Sequence, residues 1–530
     1  MSTKHQQHTI APSPSAEQHT AQNDNSLSNS ASENQYSNSL EAIRSRHSQE
    51  LIIGLCGAVG AGIKRLKNAL VTELRKANYH VEHIRLSELI AHTQPNSKEI
   101  LELRKYRRYQ TLQDLGDELR KKSNTAVADM GIRRIGIVRN SLFGSKQTQG
   151  KAVKVTKKVA YVIDQIKHHE EVELFQEVYR RNFYMLGLLR TQDEREKNIR
   201  EEGITDSTEI AKLIERDRKS SDGNGQHVEK AIQKSDYFIR NLDEKEELNN
   251  SISRFINLIH GVGSITPKRD ERGLYAAYSA SLASACLSRQ VGAAIMDDNG
   301  QIVATGCNDV PKFKGGLYDS DGGPDKRCYN KSGCQNDKHK SILKDEIFEI
   351  LKGEGVKDPE KVADKIFNNS KAKSLIEYSR AIHAEMDAIV SLTRQSNANT
   401  VGKTLYCTTY PCHSCARHIV AAGIERVVYI EPYEKSLAMD LHGDAICHID
   451  NTSKEKLLMQ NFEGTAPNRY AEFFIYSKKR KDKNGDAITY ELPSSTQVDP
   501  HQLDCYVDYE LKIKEIADMN TGEDKLVPEE

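Results

Sequence analysis

The chain has 530 residues, enough for two to four domains with sizeable buried cores. Lys plus Arg and Asp plus Glu both total 76, so the formal net charge is zero, which argues against a general nucleic-acid or membrane-surface binder. No apolar run reaches membrane-spanning length, no hydrophobic signal core opens the chain, and ten cysteines at this length suit a reducing cytoplasm; a soluble cytoplasmic enzyme is expected.

Residues 1–45 are rich in Ser, Asn, Gln and His and poor in large apolar side chains, so they are read as a disordered tail. The folded chain opens at Leu51 with LIIGLCGAVGAGIK, an apolar strand, a Gly-rich turn and an amphipathic helix. Gly57, Gly60, Gly62 and Lys64 are candidate nucleotide-binding residues, because a Gly-rich turn before a helix can cradle phosphate on its backbone N–H groups. The match is degenerate. Ile63 stands where the lysine of such loops belongs, and no Ser or Thr follows to hold magnesium. The other reading is a turn chosen only for close strand–helix packing.

Residues 101–139 read as charged helices. The run from Ala160 to Ile163 reads as a buried strand ending in Asp164, which is either a magnesium-orienting acid or a residue that ends the strand and caps the next segment. Arg190, Arg195, Arg200, Arg216 and Arg218 lie in polar helices similar to the lid of small-molecule kinases, and 235–243 would add a last strand. Residues 51–260 are thus expected to form an α/β, P-loop, nucleotide-kinase-like domain.

A second domain is expected over 269–478. It opens with a helix from Glu271, then a hairpin turning at Asp298-Asn299-Gly300 and ending at Cys307-Asn308-Asp309. Residues 312–378 read as an insertion. Cys328, Cys334 and His339, with Cys307, could hold a second metal, but their irregular spacing makes free thiols the default. A further strand is expected in the segment from Asn468 to Lys481, and 479–530 form a polar C-terminal extension.

Between these lies SRAIHAEMDAI and then, after a β-like run from Thr404 to Thr409, PCHSCARHIVAA. Cys412 and Cys415 are spaced to place two thiols on one side of a helix's first turn, where thiolates are favoured. With His383 they make a three-ligand zinc site that leaves one coordination position open, and Glu385 is a nearby acid that is not needed as a ligand. A structural zinc clip is the competing reading, but it would want a fourth ligand. The order H-x-E then P-C-x-x-C is the signature of zinc-dependent nucleobase deaminases.

The motifs SRQVGAAI, ATGCNDVP, GGLY, HAEMDAI and PCHSCARHIVAAGIERVVY resemble the deoxycytidylate deaminase family of the cytidine deaminase-like superfamily. With the preceding P-loop-like segment, the whole resembles bacterial two-domain deaminases of anti-phage defence, which deplete dCTP. The resemblance implies a C-terminal α-β-α domain on a mixed sheet and one catalytic Zn2+ held by His383, Cys412 and Cys415. It implies Glu385 as proton carrier in hydrolytic deamination, Asn308 as a sugar contact, and free deoxycytidine nucleotides (dCTP or dCMP) as substrates. It also implies a homo-oligomer, with a regulatory nucleotide or inhibitory factor acting at the N-terminal domain. Asp387 stands where the family usually has Asn, and Cys307 and Asp309 flank Asn308 atypically. Two rivals are a nucleic-acid-editing deaminase, which would want a basic groove and aromatic platforms, and a nucleotide sensor or kinase with secondary deaminase activity.

Overall fold

The computed structural model describes residues 47–144, 155, 157–218, 226–240, 244–262, 265–321, 323–331, 333–396, 398–433, 436–448, 455–476, 478–497, 510 and 513–514. The tail expected over 1–45 and most of the C-terminal extension lie outside them.

Twelve strands are described: β1 (Glu50–Gly57), β2 (His80–Arg85), β3 (Val159–Asp164), β4 (Phe183–Leu189), β5 (Tyr237–Arg240), β6 (Gly292–Met296), β7 (Ile302–Cys307), β8 (Thr404–Thr409), β9 (Arg426–Glu431), β10 (Ile446–Cys447), β11 (Leu457–Asn461) and β12 (Gly464–Thr465). They form two six-stranded sheets. The first has the order β12-β5-β4-β1-β3-β2, with β1 to β5 all parallel. Every residue of β1, β3 and β4 is buried, as expected of central parallel strands covered on both faces, which is why these runs read as continuously apolar. The helices Ile63–Lys76 and Lys245–Ile259 cover one face through Leu66, Leu70, Ile252 and Phe255.

The second sheet is mixed, in the order β10-β11-β9-β8-β6-β7. β8, β9, β11 and β10 run parallel, while β6 is antiparallel to both β7 and β8. The helix Arg269–Ser281 lies between the sheets, and one buried cluster carries Ile52, Phe175 and Phe238 on one side and Leu274, Tyr406 and Val428 on the other. On the outer face, the helices Ala384–Thr393 and His413–Ala421 pack on Ala293, Leu405 and Val427. Gly306 of β7 is needed there, since a Cβ would lie 2.3 Å from the Ala388 nitrogen. That close approach brings the start of the 384–393 helix down onto the end of β7.

Two expectations are corrected. The segment from Asn468 to Lys481 is not a strand: residues Tyr470–Phe474 form a helix whose Phe473 and Phe474 pack on the core of the first sheet. In a run this short, aromatic residues at helical spacing look the same as an extended apolar segment. In addition, residues 464–465, expected inside the second domain, add an antiparallel strand to β5 of the first sheet. Downstream, Gln497 Nε2 donates to the Glu50 carbonyl and Lys478 Nζ to the His260 carbonyl, so these two residues strap the first sheet. The insertion expected over 312–378 holds two helices, Gln335–Gly353 and Pro359–Asn369. Among the described residues, no helix is long and apolar enough to cross a membrane.

Candidate active site

Two helix starts converge on the outer face of the second sheet. His383 is the residue before the 384–393 helix, with extended backbone, and Cys412 stands in the same position before the 413–421 helix. Pro411 and the end of β8 deliver Cys412, and the Cys412 sulfur accepts the Cys415 N–H at 3.4 Å. A sulfur placed there faces the unpaired N–H groups and the positive end of the helix, which favours its anionic form.

The ligand atoms meet. His383 Nδ1 lies 3.4 Å from Cys412 Sγ and 3.3 Å from Cys415 Sγ. A tetrahedral zinc, with Zn–S of about 2.3 Å and Zn–N of about 2.0 Å, would separate nitrogen from sulfur by about 3.5 Å. The donor set and spacing therefore fit Zn2+, the cofactor of this site. The hydrogen bond with Cys415, followed by that with His383, pulls the Cys412 thiol well below its ordinary value, while Cys415 is held up by the same bond and by burial. His383 is raised, chiefly by its contact with Cys412.

Glu385, the second residue of its helix, is only 4 % exposed and has no part in the ligand triad. Burial raises its carboxyl above the usual range, the Cys412 charge adding to the rise and His383 opposing it. Burial thus makes the protonated carboxyl more accessible than at an exposed glutamate, as a proton carrier needs.

The triad opens into a cavity of about 190 Å³ whose lining includes Arg289, Asn308, Arg380, Glu385, Tyr410 and Tyr433. Asn308 lies on its wall with its amide already engaged: Oδ1 accepts the Val291 N–H at 2.6 Å and Nδ2 donates to the Arg289 carbonyl at 2.8 Å. Its neighbours build the same corner. Asp309 accepts the Ala285 N–H, its carbonyl accepts the Ile382 N–H, and its carboxylate lies 3.7 Å from Arg327. Asp387 accepts the Cys307 N–H at 3.1 Å, locking β7 to the helix of Glu385. Sequence reasoning noted Asp309 and Asp387 as departures from pattern but missed this bracing role. Cys307, Cys328, Cys334 and His339 do not gather into a three-ligand group among the described residues.

The N-terminal loop has a different environment. Gly57 ends β1, and Gly60 and Gly62 lie between it and the 63–76 helix at φ +80° and +95°, while the Lys64 side chain is exposed. The Val59 N–H, which would face a phosphate, donates to Asp217 at 2.8 Å. Lys167 Nζ donates to Asp217 and to the Gly57 carbonyl, Arg195 Nε to the Val59 carbonyl, and Asn198 to the Gly60 carbonyl. The helices Gln192–Glu201 and Ser207–Arg218, read as a lid, are thus closed over the loop on a small core of Val59, Ile199, Ile210 and Leu213. Asp164 ends β3 as expected; one carboxylate oxygen lies 3.3 Å from His83 Nε2 and the other is buried without a hydrogen-bond partner.

One imidazole and two thiolates at paired helix starts, with a buried carboxylate that is not a ligand, define the class of zinc-dependent nucleobase deaminases. Residues 267–431 match the family profile of the cytidine and deoxycytidylate deaminase zinc-binding region. The deoxycytidylate deaminase of Enterobacteria phage T4 is 31% identical over 199 residues, which are 36% of this chain and 93% of that protein. Its phage T2 counterpart is 32% identical over 173 residues, 31% of this chain and 80% of that one. The dCMP deaminase of cyanophage S-TIM5, solved with dCMP and dUMP, aligns over its whole length with 38% of this chain at 20% identity and a TM-score of 0.23, too low to bear on the fold. The chain belongs to the deoxycytidylate deaminase family.

Proposed function

We propose that this chain is a zinc-dependent hydrolase that converts a free deoxycytidine nucleotide, dCMP or dCTP, to the deoxyuridine nucleotide and ammonia. The observation that carries the reading is the placement of Glu385, buried and uncoordinated, beside the His383–Cys412–Cys415 triad at the floor of a closed-in cavity. Zinc bound by His383 Nδ1 and the two sulfurs would supply a Lewis acid that activates water. Glu385 takes one proton from the attacking water and delivers it to N3 of the cytosine, then carries the second, from the hydroxyl formed at C4, to the amino group, so that C4=O forms as the C4–N bond breaks and ammonia leaves. Its raised pKa suits both acceptance and donation. Asn308 contacts the sugar hydroxyl with the second amide hydrogen and the second lone pair that its backbone bonds leave over.

In the same reading, the N-terminal half is a nucleotide-kinase-like unit that regulates the deaminase. It is supported by the parallel sheet and by a Gly-rich turn, Gly57 to Gly62, leading into a helix. A regulatory nucleotide, or an inhibitory factor, would act there with Lys64 at the rim, and it would have to displace Asp217. Phosphoryl transfer is not expected, because Ile63 replaces the phosphate-binding lysine. The biological outcome is depletion of dCTP in the cytoplasm during phage infection, by a homo-oligomer. Ammonia release from dCMP, dCTP and a cytosine-containing single strand tests the reading. The free nucleotides are expected to be turned over and the strand left intact; turnover of the strand alone would refute it.

A further inference from the structure

We propose that Arg380 is the residue that recognises the substrate's 5′-phosphate and so makes this site favour nucleotides over nucleosides; the proposal rests on the deaminase reading above. Two arginines, Arg289 and Arg380, line the cavity, Arg327 lies beside Asp309, and of the three Arg289 and Arg327 are neutralised. Arg289 is ion-paired with Glu431, and Arg327 is gripped by Asp325 at 2.8 Å with Asp309 at 3.7 Å. Arg380 differs. Among the described residues its only hydrogen bond is from Nη1 to the Lys326 carbonyl at 3.2 Å, and it has no carboxylate partner. A guanidinium carries five N–H donors in a planar fork suited to phosphate oxygens, so most of its capacity is uncommitted.

Its position fits the substrate's polarity. Arg380 lines the same cavity as Glu385 and stands three residues before His383, so the chain itself keeps it within about 10 Å of the metal ligand. Glu385 is deeply buried, whereas Arg380 is half-buried, so one end of the cavity is an acid floor and the other a cationic edge. A cytosine amino group directed at Glu385 leaves the nucleotide's anionic end to extend toward the half-buried side. The bond to Lys326 anchors the arginine to the 325–329 loop, which Arg327 and Asp309 in turn tie to β7's end, so the fork is held in place before substrate arrives.

The test is steady-state kinetics of the intact zinc-loaded chain on dCMP, dCTP and deoxycytidine, with Arg380→Gln and Arg380→Lys beside the wild type. Loss of a charge-assisted hydrogen bond predicts a rise in KM for both nucleotides of roughly 10- to 100-fold in Arg380→Gln. Deoxycytidine turnover should be unchanged, and Arg380→Lys should recover part of the loss. An independent readout uses the wild type alone: dUMP should protect Arg380 from phenylglyoxal and deoxyuridine should not, as mapped by peptide mass. Equal losses on nucleotides and nucleoside, an unchanged nucleotide KM, or equal labelling with both products would overturn the assignment. A wild type that deaminates no free deoxycytidine nucleotide would overturn the deaminase reading itself, whereas an active wild type with an indifferent Arg380 overturns only this inference.

Discussion

Two of the turns that lead from a strand into a helix start have opposite fates. At β8 the turn through Pro411 leaves the first N–H groups of the helix facing a sulfur, a cavity and two further ligand atoms. At β1 the turn through Gly57–Gly62 is covered by two helices, and its buried donor at Val59 is satisfied by Asp217 from 158 residues away. The local pattern is similar, and what separates a site from a packed turn is whether the chain supplies its own partner. A carboxylate already bound to the loop competes with any incoming phosphate for the same hydrogen-bond donors.

That contrast can be broken from either side. The largest effect is expected at the open site. Cys412→Ala removes a ligand, and zinc and turnover should vanish together, with a fall in kcat/KM beyond about 10³-fold; metal analysis beside ammonia release checks it. At the closed site, Asp217→Ala leaves the Val59 N–H and the buried Lys167 without their partner, a change that costs about 3–5 kcal/mol. Urea unfolding should report the loss, and added inorganic phosphate should restore part of it by occupying the vacated donors. Undiminished stability, with nucleotide binding as tight in wild type as in the variant, would remove the distinction between the two turns.

A third effect is smaller and lies on the strap that closes the first sheet. His260 is fully buried, with Tyr79 on one ring nitrogen and Ser495 on the other, each at 2.9 Å. Burial pushes it down to about 3, with Lys158 and Lys478 adding to the shift. Its folded value lies below the unfolded value of about 6.5, so its contribution to stability is intact above that pH and is lost as pH falls toward 3. By pH 5 the loss from this group should be about 2 kcal/mol, and His260→Gln should flatten the dependence of the urea midpoint on pH. The smallest effect is at Asn308. Removing an amide that bridges Arg289 and Val291 should cost about 1–3 kcal/mol in Asn308→Ala, with loosening of the cavity wall seen as a raised KM. A raised KM with unchanged stability would mean that the amide serves the substrate alone.

The metal centre was legible because its chemistry is local. Two thiols three residues apart and a His two residues before a Glu each fit one helix turn, and the β-like run between them is β8. The 298–300 hairpin was legible for the same reason. The rest depended on distant partners. Nothing near Val59 announces Asp217, and nothing near Asn308 shows that its amide will be taken by the backbone of 289 and 291. The return of residues 464–474 to the first sheet is likewise set by where Phe473 and Phe474 find an apolar surface, and short apolar runs look alike in helix and strand.

In the proposed reaction Glu385 moves protons and does not hold the metal. Measuring zinc content and ammonia release together in Glu385→Ala tests it most directly. A full zinc complement with turnover reduced by about 10² to 10⁴ is the predicted result. A Glu385→Ala protein isolated without zinc, or one that deaminates dCMP at the wild-type rate, would contradict it.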